Sequence, residues 1–331
     1  MKKENNKQIA SLVSKQLKKI NQGKEEIKKA VVGQEKVIES LFRAIICDGH
    51  VLLEGVPGIA KTLMVKSLAT ITGTKFSRIQ FTPDLLPTDI IGITAYHQEK
   101  GFFVMKGPIF GNFVLGDEIN RSPPKVQSAL LEAMQERQVT IGRDTFPLSN
   151  PFFVLATQNP IESMGTYPLP AAQLDRFLFK LNVGYPTVDE EKDILEENMT
   201  IRDFKFFGLT QAISEKDIIA LQESVHNIYS DEKIKQYIVN LTDATRNPSK
   251  YNIKFGKYIE YGGSPRASIS LYIASKAEAI LRGKTFVLPE YVKTVAHDVF
   301  RHRILVNYEG QSENIKPEDI MDEILSKVPI P

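Results

Sequence analysis

The stretch "LLEGVPGIAKT" (52–62) decides how the rest of the chain is read. "HVLLE" (50–54) is a short, apolar strand of the buried parallel kind. It runs into a turn bearing glycine and proline, and Lys61-Thr62 then opens a helix. The pattern is nearly the phosphate-cradling loop G-x-x-x-x-G-K-[ST], with Ala60 where the second glycine would stand. Gly55, Val56, Pro57, Gly58, Ile59 and Ala60 are expected to wrap a nucleotide's phosphates. Backbone N–H groups from Gly58 to Thr62 would point at them, backed by the positive helix start. Pro57 presets the turn, and Ala60 is admissible if its backbone is right-handed helical, where a Cβ costs nothing. Lys61 is expected to reach the β- and γ-phosphates, and the Thr62 hydroxyl to ligate Mg²⁺.

The bulk of the sequence limits what such a loop could serve. A chain of 331 residues suggests two domains. Lys plus Arg number 42 against 40 Asp plus Glu, a net charge of +2 that does not ask for a polyanion partner. One cysteine, Cys47 in "AIICDG", excludes an internal disulfide and a Cys-rich zinc site, and fits a reducing, cytoplasmic setting. No apolar run approaches the roughly 18–20 residues that span a bilayer, so no membrane insertion is expected. In "SLVSKQLKKI", Ile9, Leu12, Val13, Leu17 and Ile20 share a helical face, read as docking on the protein itself rather than on a membrane surface.

Outward from the loop, strands and helices alternate. Apolar spacing predicts a helix over 37–46 and another over about 61–71. "FSRIQF", "FVLGDE", "FFVLATQN" and "RFLFKLNV" read as further strands. Ser122 is expected to cap a helix that begins at Pro123-Pro124 and runs to about Arg137. The fold class is therefore α/β: a parallel sheet flanked by helices. Two hairpins interrupt it, within 94–111 around Gly101 and at 139–148 around Gly142-Arg143-Asp144. After "GYPT" (184–187) the periodicity is helical, with helices near 187–200, 214–229, 231–246, 265–282, 289–301 and 316–327, almost no strand signal, and a loop over 248–263. The expected divisions are an N-terminal helical extension (1–29), a nucleotide-binding core (30–186) and an all-α domain (187–331).

"FVLGDE" delivers Asp117 and Glu118 from a strand's C-terminal end, where open α/β sheets bind ligands. Asp117 would hold Mg²⁺ and Glu118 would orient the attacking water. Asn159, at the tip of the neighbouring strand, could hold that water from the other side without adding charge. On this reading alone Arg176, beside Asp175, is better taken as a structural ion pair at a helix end, while Arg266 in "SPRAS" could equally be a structural arginine in the first turn of a helix. His297 and His302 are five apart and do not share a helix face well, so no metal site is expected there.

These strings, with "GDEINRSPPKVQSALLEAMQERQVTI", "LATQNPIE", "PLPAAQLDRFLFKL" and "SPRAS", resemble the MoxR family of AAA+ ATPases over about residues 30–305. The resemblance implies a P-loop AAA+ core with a helix-two insert and a pre-sensor hairpin, followed by a helical lid. It makes Asn159 the first sensor, Arg176 the arginine finger acting on a neighbouring subunit, and Arg266 the second sensor. Val32, Gly33 and Gln34 fall where the family holds adenine, so ATP is the expected nucleotide. It also implies a homohexamer, a von Willebrand A-domain partner and chaperone-like maturation of an unidentified client protein. A magnesium-chelatase-type motor subunit and a DNA-directed motor are the competing readings; a non-hydrolysing, nucleotide-regulated binding module is a third.

Overall fold

A computed structural model describes residues 2–56, 60–99, 101–159, 165–197 and 204–331. Helix α1 (Lys2–Lys28) leads into α2 (Glu35–Ile46), strand β1 (Val51–Gly55) and α3 (Lys61–Thr72). β2 (Phe76–Gln80) and the short α4 (Pro87–Ile91) precede a hairpin of β3 (Gly92–His97) and β4 (Gly101–Lys106). β5 (Phe113–Asp117), α5 (Pro124–Glu136), a second hairpin of β6 (Gln138–Ile141) and β7 (Asp144–Pro147), and β8 (Phe153–Gln158) follow. After α6 (Ala171–Leu174) and β9 (Phe179–Val183) come α7 (Val188–Glu197), α8 (Glu215–Asn227) and α9 (Glu232–Arg246). β10 (Ile259–Tyr261), α10 (Pro265–Leu281), α11 (Pro289–Phe300), β11 (Leu305–Val306), α12 (Tyr308–Ser312) and α13 (Pro317–Lys327) complete the chain.

The apolar strands assemble in the order β2-β5-β8-β1-β9, and the β2–β5, β5–β8 and β8–β1 pairings are parallel. Val51, Leu52, Leu53, Val114, Leu115, Val154 and Leu155 are fully buried, as strands covered on both faces require. Both hairpins stand apart as two-stranded sheets. In the first, Gly92 has φ 109, and a Cβ there would lie 2.2 Å from the Met105 carbonyl oxygen, so only glycine lets the strands close.

The chain divides into two compact units: Lys19–Leu169 with Leu181–Ile219, and Met1–Lys18 with Pro170–Lys180 and Ala220–Pro331. The first carries the sheet. The second is mainly helical, built on α10, whose buried face runs from Ala267 to Leu281, packed against α9 and α11.

Some local expectations change. The buried seam of α1 is Val13, Gln16, Ile20, Gly23 and Ile27, a spacing near 3.5, while Leu12 is exposed. Ser122 does not cap α5: Pro123 holds the cap position, and the Ser122 hydroxyl donates instead to the Ile119 carbonyl. The 248–263 segment is two 3₁₀ turns and β10 rather than an open loop, and β10 pairs antiparallel with β11. Such short strands carry too few residues to show a period of two. The part of the expected 187–200 helix beyond 197 lies outside the described residues.

Candidate nucleotide site

Register brings the C-terminal ends of three strands to one edge of the sheet. Leu53 lies opposite Thr157, Glu54 opposite Gln158, and Gly116 opposite Ala156. β1 therefore ends beside β8, and β8 beside the carboxylates that leave β5. Lys61, at the start of α3, is half-buried, and burial pulls its ammonium below the usual lysine range. The charges of Asp117, Glu118 and Glu54 oppose that shift, so the lysine lies within electrostatic reach of all three carboxylates. Its Nζ donates to the Gly55 carbonyl, folding the side chain back over the turn.

The acidic pair is held more tightly than its sequence suggests. Thr157, 1% exposed on β8, donates its hydroxyl to Asp117 Oδ1 at 2.8 Å and accepts the Glu118 backbone N–H at 2.8 Å. Arg78 and Gln80 reach across from β2: Arg78 Nη2 lies 2.6 Å from Asp117 Oδ2, and Gln80 Nε2 donates to Glu118 Oε2 at 2.9 Å. Arg121 Nη1 meets the same Glu118 oxygen at 2.9 Å. None of Thr157, Arg78, Gln80 or Arg121 stands out in the sequence. The usable signal is parity: Arg78 and Gln80 are two apart on β2, hence on one face.

Glu118 ends the strand in left-handed backbone space, φ 58 and ψ 50, a conformation that non-glycine residues hold only when their surroundings impose it. Ala60 corrects an expectation. Its φ is 58 and ψ 22, left-handed rather than right-handed helical, because it is the residue from which the chain turns into α3. A Cβ in that region costs about 1–2 kcal/mol. Pro57, Gly58 and Ile59 lie outside the described residues; Gly55 and Val56 lead into them.

Val31 is buried, and Val32 begins a turn in which Gly33 (φ 67) and Gln34 (φ 58) are successively left-handed. Gln34 Nε2 donates to the Gly184 carbonyl at 3.2 Å, tying this turn to the stretch after β9. Asn159 is buried directly beyond β8, one residue past the Glu54–Gln158 pair. Thr62 follows Lys61 in the first turn of α3, which packs against β5. One hydroxyl and one carboxylate, Thr62 and Asp117, make a hard-oxygen donor set of the kind Mg²⁺ accepts while keeping several waters.

Arg176 and Arg266 belong to the other compact unit. Arg176 follows α6, and Arg266 is exposed in the first turn of α10, where Ser264 caps the helix by accepting the Arg266 N–H at 3.0 Å. The two segments are joined through Asp175, whose Oδ2 accepts the Ser264 hydroxyl at 2.7 Å.

Comparison with known proteins agrees with this architecture. Residues 50–179 match the ATPase family associated with various cellular activities (AAA), and residues 256–324 match the AAA lid domain. Chaperone MoxR1 of Mycobacterium tuberculosis is 47% identical over 313 residues, which cover 92% of this chain and 81% of that protein. Protein MoxR of Methylorubrum extorquens is 30% identical, covering 92% of this chain and 93% of its own. A crystal structure from Cytophaga hutchinsonii, of a chain assigned as an ATPase, has a TM-score of 0.91 at 46% identity and covers 98% of both chains. Identity at this level, sustained over nearly the full length of proteins that carry the name MoxR, places the chain in the MoxR family of AAA+ ATPases.

Proposed function

We propose that this ATPase uses Mg²⁺-dependent ATP hydrolysis in a chaperone-like way, to remodel or mature a client protein by assembling a complex or inserting a metal cofactor. The observation that supports this most is the convergence of the C-terminal ends of β1, β5 and β8, where Thr157 holds the Asp117–Glu118 pair within electrostatic reach of Lys61. Bound Mg²⁺ would neutralise charge on the phosphate oxygens.

In this reading Lys61 leaves the Gly55 carbonyl to meet phosphate. Asp117, with Thr157 on Oδ1, would exchange Arg78 on Oδ2 for the metal, while Thr62 offers its hydroxyl. Glu118, with Oε2 already occupied by Gln80 and Arg121, uses Oε1 to accept a proton from the attacking water. Asn159 orients that water. Val32, Gly33 and Gln34 line the base. Arg266 serves the chain's own nucleotide and Arg176 that of a neighbouring subunit, which implies a ring; the family resemblance favours a homohexamer and a von Willebrand A-domain partner. The net charge of +2 favours a protein client over DNA.

The test is Glu118→Gln. It is expected to bind ATP with unchanged affinity, to lose turnover, and to retain the client when ATP-loaded. Unchanged turnover would show that another group activates the water.

A further inference from the structure

The segment that carries Arg176 is gripped by three consecutive side chains after α11. Arg303 is nearly enclosed, its side chain 2% exposed, and its guanidinium fans over one short stretch of backbone. Nε lies 2.7 Å from Asp175 Oδ1, Nη2 donates to the Phe177 carbonyl at 2.7 Å and the Asp175 carbonyl at 3.4 Å, and Nη1 donates to the Leu178 carbonyl at 3.1 Å. Nη1 also donates to the Val299 carbonyl at 2.6 Å, and Nη2, whose two hydrogens are shared among three acceptors, also reaches Ser270 Oγ at 3.2 Å. His302 Nε2 lies 3.1 Å from the same Phe177 carbonyl, and Arg301 donates to the Lys180 carbonyl.

Backbone on both sides of residue 176 is thus pinned by donors from one neighbouring turn. Asp175 also continues the chain of contacts: its second oxygen accepts the Ser264 hydroxyl, and Ser264 Oγ in turn receives the Arg266 N–H.

We propose that Arg303, acting through Asp175 and the 177–178 carbonyls, is a positioning residue for Arg176 and fixes it relative to the start of α10 that bears Arg266. This rests on the reading of Arg176 as a group that acts on a neighbouring subunit's nucleotide. Stability alone is a weak reason for the arrangement, since well-packed apolar residues often replace a buried ion pair without loss. A planar fork is needed here. Lysine keeps the charge but offers three clustered donors on a flexible stem, and cannot span Asp175, Phe177 and Leu178 together. Misplacing a catalytic group by about 1 Å can cost about 10²-fold in rate.

Full-length Arg303→Lys tests this. Alone, its kcat is expected to fall by about 10–100-fold with KM for ATP within about twofold of wild type. Reassembled with Glu118→Gln subunits, which have an inactive site but an intact Arg176 segment, it should regain turnover, because its own site then receives a well-placed arginine from its neighbour. Wild-type kcat in Arg303→Lys overturns the proposal, as does a loss that mixing does not rescue, which would place the defect in the variant's own site. Arg176→Ala mixed with Glu118→Gln is the control. If that mixture stays inactive, Arg176 does not act across subunits, and the proposal falls with that reading. Should Arg303→Lys fail to fold, Asp175→Asn, which keeps the shape and removes the charge, is measured by the same two criteria.

Discussion

Thr157 donates its hydroxyl to Asp117 Oδ1 at 2.8 Å, and through its own lone pair receives the N–H of Glu118. One buried hydroxyl therefore orients a side-chain carboxylate and holds the backbone of the next residue in left-handed space. Thr157→Val keeps the shape and removes both bonds, leaving a backbone donor without its partner, at a cost of about 1–3 kcal/mol. Turnover should fall at least tenfold with ATP affinity nearly unchanged, and Thr157→Ser should restore most of it. Steady-state kinetics with a urea melt decide; equal kcat for Val and wild type would remove Thr157 from the site.

Ala60 turns the chain into α3 at φ 58, where a Cβ is strained. Ala60→Gly relieves that strain against a smaller entropic loss, so a net gain of about 0.5–1 kcal/mol is expected. That corresponds to a rise of about 1–4 °C in Tm, while Ala60→Val should lower it. Differential scanning calorimetry checks both, and a drop in Tm for the glycine variant contradicts the strain.

Lys61 is partly desolvated and faces Asp117, Glu118 and Glu54. Lys61→Ala should therefore lose ATP binding by isothermal titration calorimetry, by at least about tenfold, equivalent to 1.4 kcal/mol. Lys61→Arg should not restore it, since a planar fork does not replace a compact ammonium. Full affinity in the alanine variant would move the phosphate site elsewhere.

His50 is buried between the Met134 carbonyl, to which Nε2 donates at 3.2 Å, and the Val154 N–H, which donates to Nδ1 at 3.1 Å. A proton on Nδ1 would face that N–H. Burial first, and then the charge of Arg137, push the imidazole down to about 3. The unfolded chain takes up this proton near pH 6.5 and the folded chain does not, so the unfolded state binds more protons between these values. Stability is then complete above pH 6.5 and falls on acidification, by about 1.4 kcal/mol per pH unit for this group. Burial pushes His302 down in the same sense. Urea midpoints at pH 7, 6 and 5 measure the slope; His50→Gln should flatten it, and an equally steep slope in that variant assigns the effect to other groups.

The elements around "LLEGVPGIAKT" could be read in the sequence because their signals are local. Apolar strands, helical periodicity and the Lys-Thr after a turn depend on neighbours a few residues away. The carboxylates of "FVLGDE" were legible for the same reason, as was the hairpin turn at Gly142. Ala60 was misread because its φ is set by how the turn meets α3, and residue type does not state that angle. Ser122 was misread as a cap because proline took the position and left its hydroxyl a better acceptor at Ile119.

What the sequence by itself determined is the order of strands and helices and the residue types that suit phosphate, magnesium and water. Only the tertiary structure decided which side chains hold those residues in place. Thr157 reaches Asp117 across 40 positions, and Arg303 reaches Asp175 across 128. Such pairings are set by strand register and by the packing of α11 against α10, and a buried donor settles on whichever acceptor the fold brings within about 3 Å.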